Sequence, residues 1–158
     1  MRNLAIIILF FITISVNAQS QFDYKDAIGV RAGLLSVGVT YKHFLTENIA
    51  IDNWVTTRLQ GAMYTGLIEF QKSNRNRKMN IANLNFYFGL GAHLLLFAEN
   101  ENTFEEVTTV GADIIIGFEK KISSNLVFGL DIKPQYEFLN PNPNELDFCA
   151  GISIRYML

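Results

Sequence analysis

The sequence predicts an all-β chain, an eight-stranded antiparallel up-and-down transmembrane β-barrel. Three observations carry that prediction. Apolar and polar residues alternate along most of the chain, which is the period of a strand with two unlike faces. The apolar faces hold much more bulk than the polar faces, which are laced with glycine. Finally, the first 18 residues read as an export signal, and no later apolar run approaches the length of a spanning helix.

The bulk numbers narrow the field. The chain has 158 residues, 49% of them hydrophobic and 18% charged. It is too apolar for a disordered chain and too charged for a helical membrane protein. A net charge of −2 leaves no basic face for nucleic acid. Cys149 is the only cysteine, so neither a disulfide framework nor a cysteine–histidine zinc spacing exists. No cofactor or metal is expected.

At the N-terminus, Arg2 precedes an apolar run over 4–14, and "SVNA" follows at 15–18. Val16 and Ala18 occupy the small-residue positions of a cleavage site, so cleavage is expected between Ala18 and Gln19. The expected organisation is a signal peptide at 1–18, a short segment at 19–25 and a barrel domain at 26–158.

Eight strands follow in order. The first, 26–35, sets Ile28, Val30, Ala32 and Leu34 on its apolar side. The second, 36–45, has Val37, Val39, Tyr41 and Leu45, and the third, 48–60, has Ile49, Ile51, Val55 and Leu59. The fourth, 61–72, carries Ala62, Tyr64, Ile68 and Phe70. The fifth, 80–97, is the longest and sets Leu84, Phe86, Phe88 and Leu90 against Tyr87, Gly89, Gly91 and His93. The sixth, 107–122, sets Val110, Ala112, Ile114, Ile116 and Phe118 against Gly111, Asp113, Gly117 and Glu119. In the seventh, 124–139, Leu130, Ile132, Tyr136 and Phe138 oppose Asp131, Lys133, Gln135 and Glu137. The eighth, 145–157, sets Leu146, Phe148, Ile152, Ile154 and Tyr156 against Asp147, Cys149, Gly151 and Arg155. Polar connectors separate them: "SNRNRK" at 73–78, an acidic stretch at 98–106, and "NPNPNE" at 140–145. Pro134 cannot donate to a ladder and is expected near the outer rim, at a bulge or at the end of pairing.

Alternation alone does not say which face is inside. A soluble lipocalin-like barrel turns its apolar face inward around a ligand, whereas a membrane barrel turns it outward to lipid. An eight-stranded barrel has room inside only for side chains or one small ligand. The apolar bulk therefore belongs outside, and the glycine-rich polar face inside. That face carries Arg31, Lys42, Arg58, Lys133 and Arg155 together with Asp52, Glu69, Asp113, Glu119, Asp131, Glu137 and Asp147, a set that can pair in an enclosed lumen. Aromatics gather near strand ends, with Tyr41, Phe70, Phe118 and Tyr156 toward one rim and Tyr64, Tyr136, Phe138 and Phe148 toward the other. They resemble the two aromatic girdles of outer-membrane barrels.

With "YKHFL" (41–45), "MYTGLIEFQ" (63–71), "LNFYFGLGAH" (84–93), "GADIIIGFEKKI" (111–122), "GLDIKPQYEF" (129–138) and "GISIRYML" (151–158), the chain resembles the small outer-membrane β-barrel proteins found widely in Bacteroidota, distant in kind from the OmpA/OmpX-type barrels. The resemblance implies insertion in outer-membrane lipid of a Gram-negative bacterium and a terminal strand read by the barrel-assembly machinery. Gly151, Ile154 and Tyr156 match that strand signal, while Leu158 stands where the family usually ends in an aromatic residue. The resemblance implies no catalytic residues.

The expected function is an integral outer-membrane protein with a structural or interaction role and a closed polar lumen without a transport pore. Its surface contacts are expected at 98–106 and 140–145. The alternative is a secreted lipocalin-like carrier of a small apolar ligand, and a lipid-modifying outer-membrane enzyme ranks below both. No enzyme activity is expected. A lipid hydrolase needs a histidine with a nearby serine and carboxylate. His43 lies at the wrong rim for the outer leaflet, and His93 reads as a hydrogen-bonded lumen residue. Asp52 and Glu69 read as partners of lysine or arginine rather than as an acid–base pair.

Overall fold

The computed structural model describes residues 24–34, 36–58, 61–73, 84–100, 103–138 and 146–158. The expected signal peptide at 1–18, the cleavage site, Leu59, most of "SNRNRK" and the contact segment 140–145 lie outside the described residues.

Eight strands form as the alternation predicts: β1 (Asp26–Gly33), β2 (Ser36–Phe44), β3 (Ile49–Arg58), β4 (Gly61–Ser73), β5 (Leu84–Asn100), β6 (Thr103–Lys121), β7 (Leu126–Glu137) and β8 (Leu146–Met157). Each pairs antiparallel with its sequence neighbour, and β1 pairs with β8 to close the barrel. Closure leaves no open seam between first and last strands, so backbone groups are bonded around the wall.

Tight turns join strands at one end. Leu45 N–H donates to the Ile49 carbonyl at 2.8 Å, and Thr46 Oγ1 accepts from Ile49 N–H at 3.1 Å. Ile122 N–H donates to Leu126 O at 2.9 Å in the corresponding β6–β7 turn. The described residues begin and end at this end of the barrel, the end called that of the termini below, where Leu158 N–H donates to Asp26 O at 2.9 Å.

The apolar faces point outward. Val30, Phe88, Ile116 and Phe148 are each 59% exposed, and Ile132 on the β7 strand is 55% exposed. Asp131, Lys133 and Gln135 on the same strand are buried. A carrier of an apolar ligand would need the reverse orientation.

Three expectations change. The lumen is not wholly polar. Trp54, Leu67, Tyr87 and Ile115 form a buried cluster inside it, and Tyr24, Ala27, Phe44, Ala50, Val127 and Met157 fill the end near the termini. Trp54 is in phase with Asp52, and Phe44 with Lys42, so pleating alone turns both inward.

The acidic stretch at 98–106, expected as a loop, is strand at its described residues 98–100 and 103–106. β5 and β6 continue into it and pair Ala98 with Val107 and Glu99 with Glu106, past irregularities at 95–98 and 99–100. Pairing along β7 also does not stop at Pro134. Asp113 pairs with Gln135 and Ile116 with Ile132, in one unbroken register on either side of a two-residue gap. Phe138 N–H donates to Val110 O, so alternation turns the backbone of residue 134 toward Ile114 O. Proline has no N–H to give it. The gap is a missing bond within the ladder, not its end.

Candidate functional site

The lumen is the only place where the described residues gather many charged groups out of solvent. Strand pleating puts Arg31, Lys42, Asp52, Glu69, Asp113, Glu119, Asp131, Lys133 and Arg155 inside, all at 2% exposure or less.

These residues fall into two groups. In the group nearer the termini, Lys42 Nζ lies 2.6 Å from Glu69 Oε2 and 2.9 Å from Glu119 Oε1. Arg155 reaches Asp52 at 2.6 Å and Glu119 at 2.7 Å. Its Nε donates to Thr40 Oγ1 at 3.1 Å, and Thr40 donates to Asp52 at 2.7 Å. Glu119 Oε2 accepts from Gln71 at 2.7 Å and from the Tyr24 hydroxyl at 3.0 Å. These contacts tie β8 to β3 and β2 to β6 across the barrel.

In the second group, Asp131 accepts from both terminal nitrogens of Arg31, one of them at 2.6 Å. Two parallel bonds of this kind are the strong form of a charged hydrogen bond. The Arg31 guanidinium also lies 3.9 Å above the Trp54 ring. Lys133 donates to Asp113 at 2.8 Å, and His93 Nδ1 lies 3.0 Å from the same carboxylate oxygen. Tyr87 joins the groups, since its ring lies 4.7 Å from Lys42 Nζ and its hydroxyl donates to Asp131 at 3.2 Å.

Glycine makes room for this network. A side chain at Gly151 would run into the Arg31 guanidinium, one at Gly117 into the Tyr87 ring, and one at Gly111 into the His93 ring. Gly151, singled out as part of a terminal-strand signal, thus also has a packing role. Ile154 and Tyr156 of the same signal face outward.

Other expected site residues lie elsewhere. Asp147 is half-buried and accepts from Gln135 at 3.3 Å, and Glu137 is half-buried at the far end of β7. The Arg58 side chain lies outside the described residues. Tyr41, Phe70 and Tyr156 are exposed and Phe118 half-exposed toward the termini. Tyr64, Tyr136, Phe138 and Phe148 are exposed toward the other end. His43 is half-buried on the outer wall near the termini, with Nδ1 2.7 Å from Asp26 Oδ1, which also accepts from the Tyr41 hydroxyl at 2.6 Å.

Sequence reading missed Tyr24, Thr40, Trp54 and Gln71 as members of the network. Thr40, Trp54 and Gln71 share the parity of the charged face, which is the signal that could have found them. Tyr24 precedes the first strand and carries no such signal.

The arrangement can brace strands against one another across the barrel. His93 Nε2 has no hydrogen-bond partner among the described residues. Among the described residues, no three histidine, cysteine or carboxylate side chains are grouped to hold a metal ion.

No family model matches the chain, and no curated protein matches it in sequence. Its fold is similar to the crystal structure of the N-terminal β-barrel domain of Pseudomonas aeruginosa OprF, with a TM-score of 0.69 at 13% identity. That similarity covers 84% of this chain and 96% of the other.

Proposed function

We propose that this chain is an integral outer-membrane β-barrel protein of the Bacteroidota type, with a structural or interaction role, a closed lumen and no transport pore. One observation carries the reading. The outer wall is apolar around a closed circumference, while the charges sit paired inside. Water around such a wall would leave an apolar patch far larger than soluble monomers tolerate, whereas lipid satisfies it. The aromatic residues toward both rims suit the two interfaces, and the likeness to the OprF barrel supports the same setting. Export through the segment 1–18, recognition of β8 by the barrel-assembly machinery and the absence of catalysis belong to this proposal.

A heat-modifiability gel on the membrane fraction tests it. The unboiled protein is expected to migrate differently from the boiled protein and to stay with outer membranes after a salt wash. A soluble protein with no shift would overturn the reading.

A further inference from the structure

Two residues break the apolar outer face of neighbouring strands. Asn53 stands between Ile51 and Val55 on β3, and Gly66 between Tyr64 and Ile68 on β4. In the closed wall these two exceptions are direct cross-strand partners. Gly66 pairs in turn with Ala92 on β5, and Ala92 with Ala112 on β6, so the row of small residues continues. All four lie in the middle of their strands. Asn53 and Gly66 are half-buried on the outer face, and the two alanines are exposed there. Bulky side chains border the row, among them Ile68, Leu90 and Ile114.

The packing of the described residues does not call for a glycine at 66. A Cβ at Gly29 or Gly38 would come within 2.0 Å of a backbone oxygen on the next strand, and one at Gly91 within 2.1 Å. At Gly66 the nearest atom would be the Tyr64 hydroxyl oxygen at 3.7 Å, an ordinary contact. The backbone there is also one that any residue adopts. Glycine weakens the interior of a strand, and it can mark a site where another backbone approaches closely. At Gly66 the only side left for such an approach is the outside of the wall.

The asparagine selects the occupant. Its Oδ1 accepts from the Tyr64 hydroxyl at 2.7 Å. That oxygen has a second lone pair, and the amide nitrogen carries two N–H donors. On a lipid-facing wall neither hydrocarbon nor an apolar partner surface answers these groups. A second copy of the chain does. Two copies inserted the same way are related by a two-fold axis along the membrane normal, which keeps every residue at its own depth. Beside that axis Asn53 meets the same side chain of its partner. A side-chain amide is its own complement, donating through nitrogen and accepting through oxygen. The small residues beside it let two convex walls come close, as they do between membrane helices.

We propose that the β3–β4 face centred on Asn53 and Gly66 is the interface of a two-fold homodimer within the membrane. This rests on the outer-membrane reading and gives its interaction role a partner, a second copy of this chain. Reciprocal amide bonds between the two asparagines fix the register, and Gly66 and Ala92 supply the close approach.

The test is sedimentation equilibrium of the full-length protein in density-matched detergent micelles, with barrel formation checked on each sample by heat modifiability. Dimers are expected, and Asn53→Leu and Gly66→Leu should each raise the dimer dissociation constant by at least about tenfold. Both variants should keep the heat shift, because each places an apolar side chain on an apolar wall. A second measurement uses oxidative crosslinking in lipid vesicles, with Cys149→Ser as the background. Val55→Cys, one outward position from Asn53, should give a linked dimer. Ile152→Cys, on the far wall of the barrel, should not.

A monomer that shifts on boiling overturns the proposal and leaves the membrane reading standing. Dimers indifferent to both leucine substitutions also overturn it, since another surface would then hold them, and so does equal crosslinking from the two walls. A monomer that retains a lipid or another protein, lost in Gly66→Leu, overturns the choice of occupant. A sample with no heat shift refutes the membrane reading itself.

Discussion

Asp131 binds both terminal nitrogens of Arg31 from a position 100 residues away in sequence. Both side chains are buried, so removing one strands the other charge. Asp131→Ala is expected to destabilise the barrel by about 3–5 kcal/mol in urea titrations in lipid vesicles. The double change Arg31→Met/Asp131→Leu should recover most of that loss, because an apolar pair needs no counter-charge. Equal midpoints for the single and double variants would show that the stranded charge is not the cause. The inward direction of these two residues was legible from alternation. Their partnership was not, because nothing local links β1 to β7. The same holds for Arg155 and Asp52, which meet only once the wall has curved round.

Among the elements, β6 and β7 bear the most informative irregularity. Pro134 leaves Ile114 O without the N–H that alternation would bring it. Pro134→Val restores that donor and should stabilise the barrel by about 1 kcal/mol, read as a higher urea midpoint. No change would mean that the carbonyl is satisfied some other way. On the outer face of the same ladder, Ile114 is 50% exposed and pairs with Leu90. Ile114→Arg should weaken folding into vesicles by about 2–4 kcal/mol if the site lies near the bilayer midplane. A neutral result would count against lipid on that face. All eight strands were visible in the sequence. The extension of β5 to Asn100 and the start of β6 at Thr103 were not, because glutamate and asparagine are poor strand formers and read as a loop. Cross-strand pairing overrides that local preference.

At the scale of the whole molecule, paired charges and apolar side chains project into the lumen. Arg31 stacks on Trp54, Lys42 faces Tyr87, and Phe44 and Met157 pack near the termini. Eight strands leave no aqueous channel once side chains occupy the interior. Purified protein in planar bilayers is therefore expected to show no steady single-channel conductance. Reproducible ohmic steps would refute the closed lumen.

The sequence by itself determined the strand count, the antiparallel order and which residues share a face, because a period of two is written locally in every strand. Volume and charge on the two faces then predicted which face turns outward. Only the tertiary structure decided who meets whom. Cross-lumen pairs such as Lys42 with Glu119 depend on closure and stagger, which bring distant strands to one level. It also decided that Trp54 and Phe44 lie inside and that a glycine at 151 clears space for Arg31. Each of these is a property of register between strands, and register is fixed by the closed wall rather than by any segment alone.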